Sequence, residues 1–375
     1  MALKIAYIAK VEVENMEYWS GIPFNIYHFL KKNNFEVTLI DKFSKLPLKI
    51  LKLYEVFWRF FNIKYDPDRS IFLSKYYSKL INKKISNSNY DYIFTYDSTL
   101  ISFLDTKIPI ILWTDLTFDL YENTYFKKYN KIYKTTHING NYLEKLALKK
   151  CKKVIYSSQY ALENAKKRYK IKSHKLYSLP FAADLHFQNK KYKKKFISKS
   201  KIINFLSVGV DWHRKGMDKT IEFVQNLQKI NRKHIFNLDI VGCENNLKVK
   251  NNNIKIHGYL SKKNPDDIKK LNRFYKNANF FILLSRAEAL GLVFQEAASY
   301  GLPIITNKVG GISSIVKNNG IFFNLNDNFN IQYKKFKKLL KNKNYIKYSL
   351  SSLEQYKKNN PKRIFSKFKE IIHEQ

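Results

Sequence analysis

Cysteine is nearly absent from this chain. Cys151 and Cys243 are the only two, far apart in sequence, outside any CxxC spacing and without a clustered histidine. Neither a disulfide framework nor a zinc site is expected, and a reducing compartment is. Long apolar runs are missing as well: no stretch approaches the roughly 18 residues a membrane-spanning helix needs. The sequence opens Met-Ala-Leu-Lys and enters a strand-like run at once, so no signal peptide is expected and the protein is placed in the cytoplasm. No long low-complexity tract occurs, nor an internal repeat with a period of about 20 to 50 residues.

Acidic residues are scarce. Thirty Asp and Glu face 69 Lys and Arg, a formal net charge of +39. A field of that size draws polyanions, whether nucleic acid or acidic lipid. The lysines are nevertheless scattered over the whole length among abundant Asn, Ile and Tyr, the mixture an AT-rich genome writes into protein surfaces, and composition is the first explanation of the total. Zinc-finger spacing and the aromatic-basic strand pattern of RNA-recognition domains are both missing, so no specific nucleic-acid partner is expected. Peripheral contact with the inner face of an anionic membrane is the second explanation.

What is present excludes disorder: 45% of residues are hydrophobic and 16% aromatic. A length of 375 residues suits two domains, each able to bury a core. Short runs rich in Ile, Val, Phe and Leu alternate with longer amphipathic segments, the rhythm of a parallel sheet wrapped by helices. In the first half, strands are expected at Lys4–Ala9, Glu36–Ile40, Tyr92–Tyr96, Ile108–Trp113, Val154–Ser157 and Lys175–Leu179. In the second they are expected at Ile202–Val208, Asn237–Gly242, Ile254–His257, Phe280–Leu284 and Ile304–Thr306. Two doubly wound α/β domains follow, residues 1–188 and 200–354, joined by a basic linker around Lys190–Lys195. Terminal helices break near Pro361, and residues 355–375 are expected to pack back on the first domain.

The segment Lys45–Tyr65 interleaves Leu46, Ile50, Leu53, Phe57, Trp58, Phe60 and Phe61 with Lys49, Lys52 and Arg59. It reads either as an interfacial helix lying on an anionic membrane or, more simply, as an amphipathic helix packed on the sheet.

Two motifs carry chemistry. In the first, Glu288 and Glu296 are eight positions apart across Gly291, between the apolar run at Phe280 and the one at Pro303. This is a strand, a loop with one acid, a helix with the other, then a strand. The helix N-terminus near Gly291 offers unpaired N–H groups and a positive dipole end to a phosphate, with a carboxylate on either side to accept hydroxyl groups. Alone, the two glutamates also read as a first-turn acid and a solvated helix residue. The second motif follows the first strand of the second half: Val208-Gly-Val-Asp-Trp-His-Arg-Lys-Gly-Met217. Gly209 permits close backbone approach, Arg214 offers a two-donor clamp and Lys215 a point charge. Since ligands of open α/β sheets bind outside the carboxyl ends of strands, both motifs suit one pocket.

On these residues the second half resembles the nucleotide-binding domain of glycosyltransferase family 4. Its E-x7-E element matches Glu288 and Glu296, its G-L-V-x-x-E-A core matches Gly291–Ala297, and Gly301-Leu-Pro-Ile304 and Val309-Gly310-Gly311 match the turns that follow. Gly209–Gly216 is similar to a G-x-D-W-x-R-K-G variant of the family's phosphate loop. In the first half Trp19-Ser-Gly-Ile-Pro-Phe24, Trp113-Thr-Asp115, Glu144 with Tyr156-Ser-Ser158, and Pro180-Phe-Ala-Ala183 resemble stretches of the same subgroup. Three positions depart from the family. Val210 stands where many members have Arg, so that Arg214 is the substitute; Asp115 stands where many have His; Ala289 replaces a frequent Gly.

The resemblance implies the GT-B architecture, two facing Rossmann-like domains with a cleft between them. It also implies a retaining transferase moving a sugar from a UDP- or GDP-sugar to a saccharide or lipid-linked saccharide of a surface glycan, with no cofactor and no obligatory metal. By resemblance Arg214, Lys215 and the N–H groups around Leu292 and Val293 hold the diphosphate, Glu296 the ribose hydroxyls and Glu288 the donor sugar, with Gly21, Gly209 and Gly291 at the backbone approaches. Asp115 orients the acceptor or merely caps a strand end. Other readings stay open: a sugar-nucleotide epimerase or hydrolase of the same architecture, a basic membrane-binding protein without catalysis, and a silent scaffold.

Overall fold

The apolar runs become two six-stranded sheets, parallel throughout, in a computed structural model that describes residues 2–44, 46–126, 131–183, 197, 201–231, 233–244 and 251–374. The linker expected around Lys190–Lys195 lies outside the described residues. The chain divides into two units, Met1–Leu179 and Pro180–Gln375.

The first unit runs β1 (Lys4–Ile8), α1 (Ile22–Lys32), β2 (Glu36–Ile40), α2 (Leu46–Phe60), β3 (Ile63–Lys64), α3 (Ile71–Ile85), β4 (Tyr92–Thr95), β5 (Ile110–Thr114), α4 (Phe118–Tyr125), β6 (Lys131–Ile132), α5 (Lys134–Lys150), β7 (Lys153–Tyr156), α6 (Gln159–Tyr169) and β8 (Leu176–Ser178). Its sheet order is β2-β1-β4-β5-β7-β8, and β3 pairs with β6 in a separate short ribbon. Helices cover both faces, which is why β1 reads Ile-Ala-Tyr-Ile and is buried from Ile5 to Ile8.

The second unit runs β9 (Ile202–Val208), α7 (Met217–Ile230), β10 (Ile235–Val241), β11 (Ile254–Ile256), α8 (Pro265–Asn277), β12 (Phe280–Leu283), α9 (Leu292–Ser299), β13 (Ile304–Asn307), β14 (Gly320–Phe323), α10 (Phe329–Lys337), α11 (Asn342–Lys358) and α12 (Pro361–His373). Its order is β11-β10-β9-β12-β13-β14, which within the unit is 3-2-1-4-5-6, the dinucleotide-binding order. The order reverses between β9 and β12, where Phe205 pairs with Phe280 and Leu206 with Phe281. As the proline predicts, the tail breaks before α12, where Asn360 caps the helix by accepting from Arg363 N at 2.9 Å.

Most expected strands shift by a residue or two at their ends. Three were not expected: β14, only four residues at a sheet edge, and the two-residue β3 and β6. In segment 45–65 the helix α2 forms, and none of the residues of that helix is fully buried. Pro47, Leu48, Leu51, Glu55 and Trp58 form a half-buried stripe at helical spacing, while Ile50, Leu53, Val56, Phe57 and Phe60 are turned outward, Phe60 at 87% exposure.

The core of the second unit closes on one aromatic ring. Phe336 of α10 lies 5.5 to 6.3 Å, centroid to centroid, from Phe205, Phe223, Phe236 and Phe280, joining β9, β10, β12 and α7. Phe336→Ala should destabilise the unit by about 3–5 kcal/mol, because a fully buried ring leaves a cavity that its neighbours fill only in part. The check is urea unfolding followed by near-ultraviolet circular dichroism; an unchanged midpoint would contradict the packing.

Candidate functional site

At the reversal point of the second unit, the loops leaving β9, β12 and β13 are drawn onto one another by glycines. Gly216 has φ +64° and ends the β9 loop; a Cβ there would sit 2.0 Å from Leu284 O, at the end of β12. Gly310, φ +53°, brings the β13 loop onto the same strand end, where a Cβ would lie 1.8 Å from Glu288 O. Main-chain bonds hold the contact: Arg286 N donates to Arg214 O at 2.8 Å and Gly311 N to Glu288 O at 3.4 Å. Arg286 adds a side-chain clamp, donating to Asp218 and, at 2.7 Å, to His213 O. That clamp holds the Asp218 carboxyl below its ordinary range.

This folding brings three of the residues picked out in the sequence into contact. Lys215 Nζ lies 2.5 Å from Glu288 Oε2, and Arg214 Nη1 lies 3.7 Å from the same oxygen. Lys215 and Glu288 are each only 7% exposed. Gly209 makes room for the lysine stem, since a Cβ on it would meet Lys215 Cγ at 2.8 Å. Arg214 also donates to Ala287 O at 3.3 Å and reaches Asp211 at 3.4 Å, so it spans both loops. A charge buried this far is tolerated only when paired and hydrogen-bonded, and here each partner supplies what the other needs.

Gly291, φ +86°, precedes α9, whose N-terminus has no side-chain cap. Leu292 and Val293 are the first two residues of that helix and are half-buried. Their N–H groups precede the first helical hydrogen bonds, as in any α-helix. Glu296 is the fifth residue of α9, 2% exposed. Its carboxylate accepts from Lys262 Nζ at 2.9 Å on Oε1 and from the Tyr275 hydroxyl at 2.8 Å on Oε2. Burial first, and the Glu296 charge second, push the Tyr275 hydroxyl far above its usual range, so it remains a donor.

Lys262, Tyr275 and Arg286 had no signal of their own in the sequence. One lysine among many is inconspicuous, and Tyr275 lies 21 positions before its partner. Gln295 has no sequence signal of its own either. It donates to Phe181 O at 2.8 Å and accepts from Ala183 N at 3.3 Å, anchoring the start of the unit to α9.

The remaining two expected residues lie in the first unit. Asp115 follows β5 and accepts from the Trp19 indole at 3.3 Å. Gly21, φ +76°, is the N-cap of α1 and ends a run in which Trp19 and Ser20 also have positive φ.

Residues 188–363, just under half of the chain, match the model of the family glycosyl transferases group 1. No curated protein matches the chain in sequence. Among solved structures it is similar to a sucrose-phosphate synthase from Thermosynechococcus elongatus (15% identity, TM-score 0.69, covering 99% of this chain and 98% of that one). It is also similar to a glycosyltransferase from Rickettsia africae (18% identity, TM-score 0.67, 100% of both chains). A third likeness is to the lipopolysaccharide outer core galactosyltransferase WaaB (14% identity, TM-score 0.67, 99% of both). The structural likenesses give the GT-B fold of two Rossmann-like domains. The match of residues 188–363 to glycosyl transferases group 1 supports a glycosyltransferase enzyme.

Gly216→Ala tests how the site is assembled. The added methyl meets a backbone carbonyl, so the β9 loop must lift away from β12. The melting temperature should fall by several degrees. A variant with unchanged melting would show that the loop contact is dispensable.

Proposed function

We propose that the protein is a retaining, metal-independent enzyme of glycosyltransferase family 4. It moves a sugar from a UDP- or GDP-sugar to a saccharide or lipid-linked saccharide acceptor in surface-glycan synthesis. The observation that carries this reading is the gathering of Arg214, Lys215 and Glu288 beside the uncapped N-terminus of α9, with Glu296 one turn into the helix, at the reversal of a dinucleotide-binding sheet. The likeness to a lipopolysaccharide galactosyltransferase supports the surface-glycan destination.

The chemistry follows from charge. Breaking the bond between the anomeric carbon and the diphosphate leaves an oxocarbenium-like sugar and a leaving group that gains negative charge. Arg214, Lys215 and the N–H groups of Leu292 and Val293 bind that charge where it develops, which lowers the barrier without a metal. Gly209 lets the backbone approach the phosphates. Glu296 takes the ribose hydroxyls, sharing its oxygens with Lys262 and Tyr275. Glu288, neutralised by Lys215, orients the donor sugar. In the first unit Gly21 shapes the turn after β1, and Asp115 orients the acceptor.

Titration with nucleoside diphosphates and free nucleosides tests the assignment. Glu296→Ala should weaken nucleotide binding by about 10- to 100-fold, the worth of a charged hydrogen bond pair. Arg214→Ala combined with Lys215→Gln, which keeps a donor on Glu288, should weaken the diphosphate by about 100-fold and the nucleoside by less than about threefold. Equal losses for both ligands would remove the phosphate role. Release of free sugar at the same rate with and without acceptor would favour the hydrolase reading.

The membrane reading belongs to α2. Its outward residues are apolar and aromatic, its basic residues are Lys49, Lys52 and Arg59, and its one acid, Glu55, is paired with Arg59 and Lys64. Among the described residues no helix is long and apolar enough to cross a membrane, so contact would be interfacial. Phe57→Asp with Phe60→Asp should reduce co-sedimentation with phosphatidylglycerol vesicles about tenfold or more at 0.1 M salt. Undiminished binding would place the contact elsewhere.

A further inference from the structure

The first unit has its own reversal point, between β1 and β4. The segments leaving β1, β4 and β5, with Asp68 and Arg69 before α3 and Glu144 of α5, enclose a pocket of about 470 Å³ there, where open α/β sheets take ligands. Two kinds of group line it. The first is aromatic: Trp19 and Tyr96 lie 5.3 Å apart, Tyr18 and Tyr96 6.3 Å, and Tyr121 and Tyr125 5.1 Å. Trp19 is held at φ 47° and Ser20 at φ 58°, left-handed conformations that cost a non-glycine residue about 1–2 kcal/mol each and persist where a side chain must be presented.

The second kind is charged, and its cations are already engaged. Lys10 Nζ lies 3.0 Å from Asp97 and 3.2 Å from Asp68. Burial opposes charge on both Lys10 and Asp97, but attraction to Lys10 and Arg69 brings the Asp97 carboxyl down to about 2, while Asp68 and Asp97 raise Lys10. Arg69 lies 3.6 Å from Asp66 and over the rings of Phe118 and Tyr121. Four carboxylates, Asp68, Asp97, Asp115 and Glu144, line the pocket with these two cations. Asp68, Asp97 and Asp115 alone outnumber the two bases. An acidic pocket in a chain of charge +39 is the reverse of what composition supplies.

Buried polar groups line the pocket as well: Glu144 is 2% exposed and Tyr96 6%. The Asp68 side chain, 40% exposed, also lines the pocket. Rings beside carboxylates suit a ligand with an apolar face and a hydroxylated edge, and carboxylates repel one bearing an anion.

We propose that this pocket binds a non-anionic saccharide ring, its C–H face against Trp19 and Tyr18 and its hydroxyls donating to Asp68 and Asp115, and that it rejects uronate and phosphorylated sugars. That the sugar is the acceptor rests on the transferase mechanism proposed above; the binding itself does not.

The test uses the whole chain and saturation-transfer NMR with calorimetry. The probes are methyl α-glucoside, methyl N-acetylglucosaminide and methyl glucuronoside, with UDP and GDP titrated separately. The two neutral sugars should bind and the glucuronoside at least about tenfold more weakly. Asp68→Asn should narrow that gap to about threefold or less, since only charge is removed. Trp19→Leu should weaken the neutral sugars about tenfold by removing ring contact. Nucleotide affinity, which belongs to the second unit, should stay unchanged in both variants, and circular dichroism with thermal unfolding of the whole chain reports that the first unit of each is folded. Glucuronoside binding as tight as the neutral sugars, no binding of neutral sugars, or an unaffected Trp19→Leu variant would each overturn the proposal. Sugar binding without nucleotide binding would overturn the proposed function and leave the pocket standing.

Discussion

The second unit depends on a buried ion pair whose members come from different strand ends. Lys215 leaves β9 and Glu288 leaves β12, 73 positions later, and at 7% exposure each is the other's opposite charge. Their contact requires the β9 loop to turn back across the end of β12. That turn is open only to a glycine at 216, because the neighbouring Leu284 carbonyl occupies the space of a Cβ. The sheet order puts the two loops side by side, the glycine lets them touch, and the ion pair makes the touching arrangement the stable one. Removing one charge from such a pair typically costs about 3–5 kcal/mol, more than the net worth of most single contacts.

Local arrangement rather than total charge decides what each region attracts. The net charge of +39 comes from lysines spread over the surface, yet at the α9 terminus two cations are focused on one carboxylate, and in the first unit's pocket acids outnumber bases. Low-dielectric walls strengthen such short-range differences, while salt screens the distant surface charges. A basic protein can therefore carry an anion site and an acidic pocket at once.

Legibility in the sequence followed the length and isolation of each signal. Ile202–Val208 and Glu36–Ile40 stand out as continuous apolar or alternating runs between polar segments and matched the observed strands end for end. Gly320–Phe323 did not, because four residues at an edge carry no period. Segment 45–65 was legible as a helix but not in its burial: apolar residues on all sides of a helix look like core in a sequence, and only its placement shows that most of them face outward. At the site, Glu288, Glu296, Arg214 and Lys215 were visible because glycines mark the turns around them. Lys262 and Tyr275 were not, since what distinguishes them is which carboxylate they reach.

The sequence by itself determined the α/β class, the number of parallel strands to within a few, and the identity of the charged groups near Gly209 and Gly291. These rest on local information: apolar periodicity, glycine positions and short motifs. Tertiary structure alone decided that Glu288 is neutralised by Lys215, that Glu296 is held by Lys262 and Tyr275, and that Trp19, Asp68 and Asp115 share one pocket. Those facts depend on the order in which strands enter a sheet. A parallel sheet sets neighbours by crossover connections of many residues, so the partners of a buried charge lie far from it along the chain.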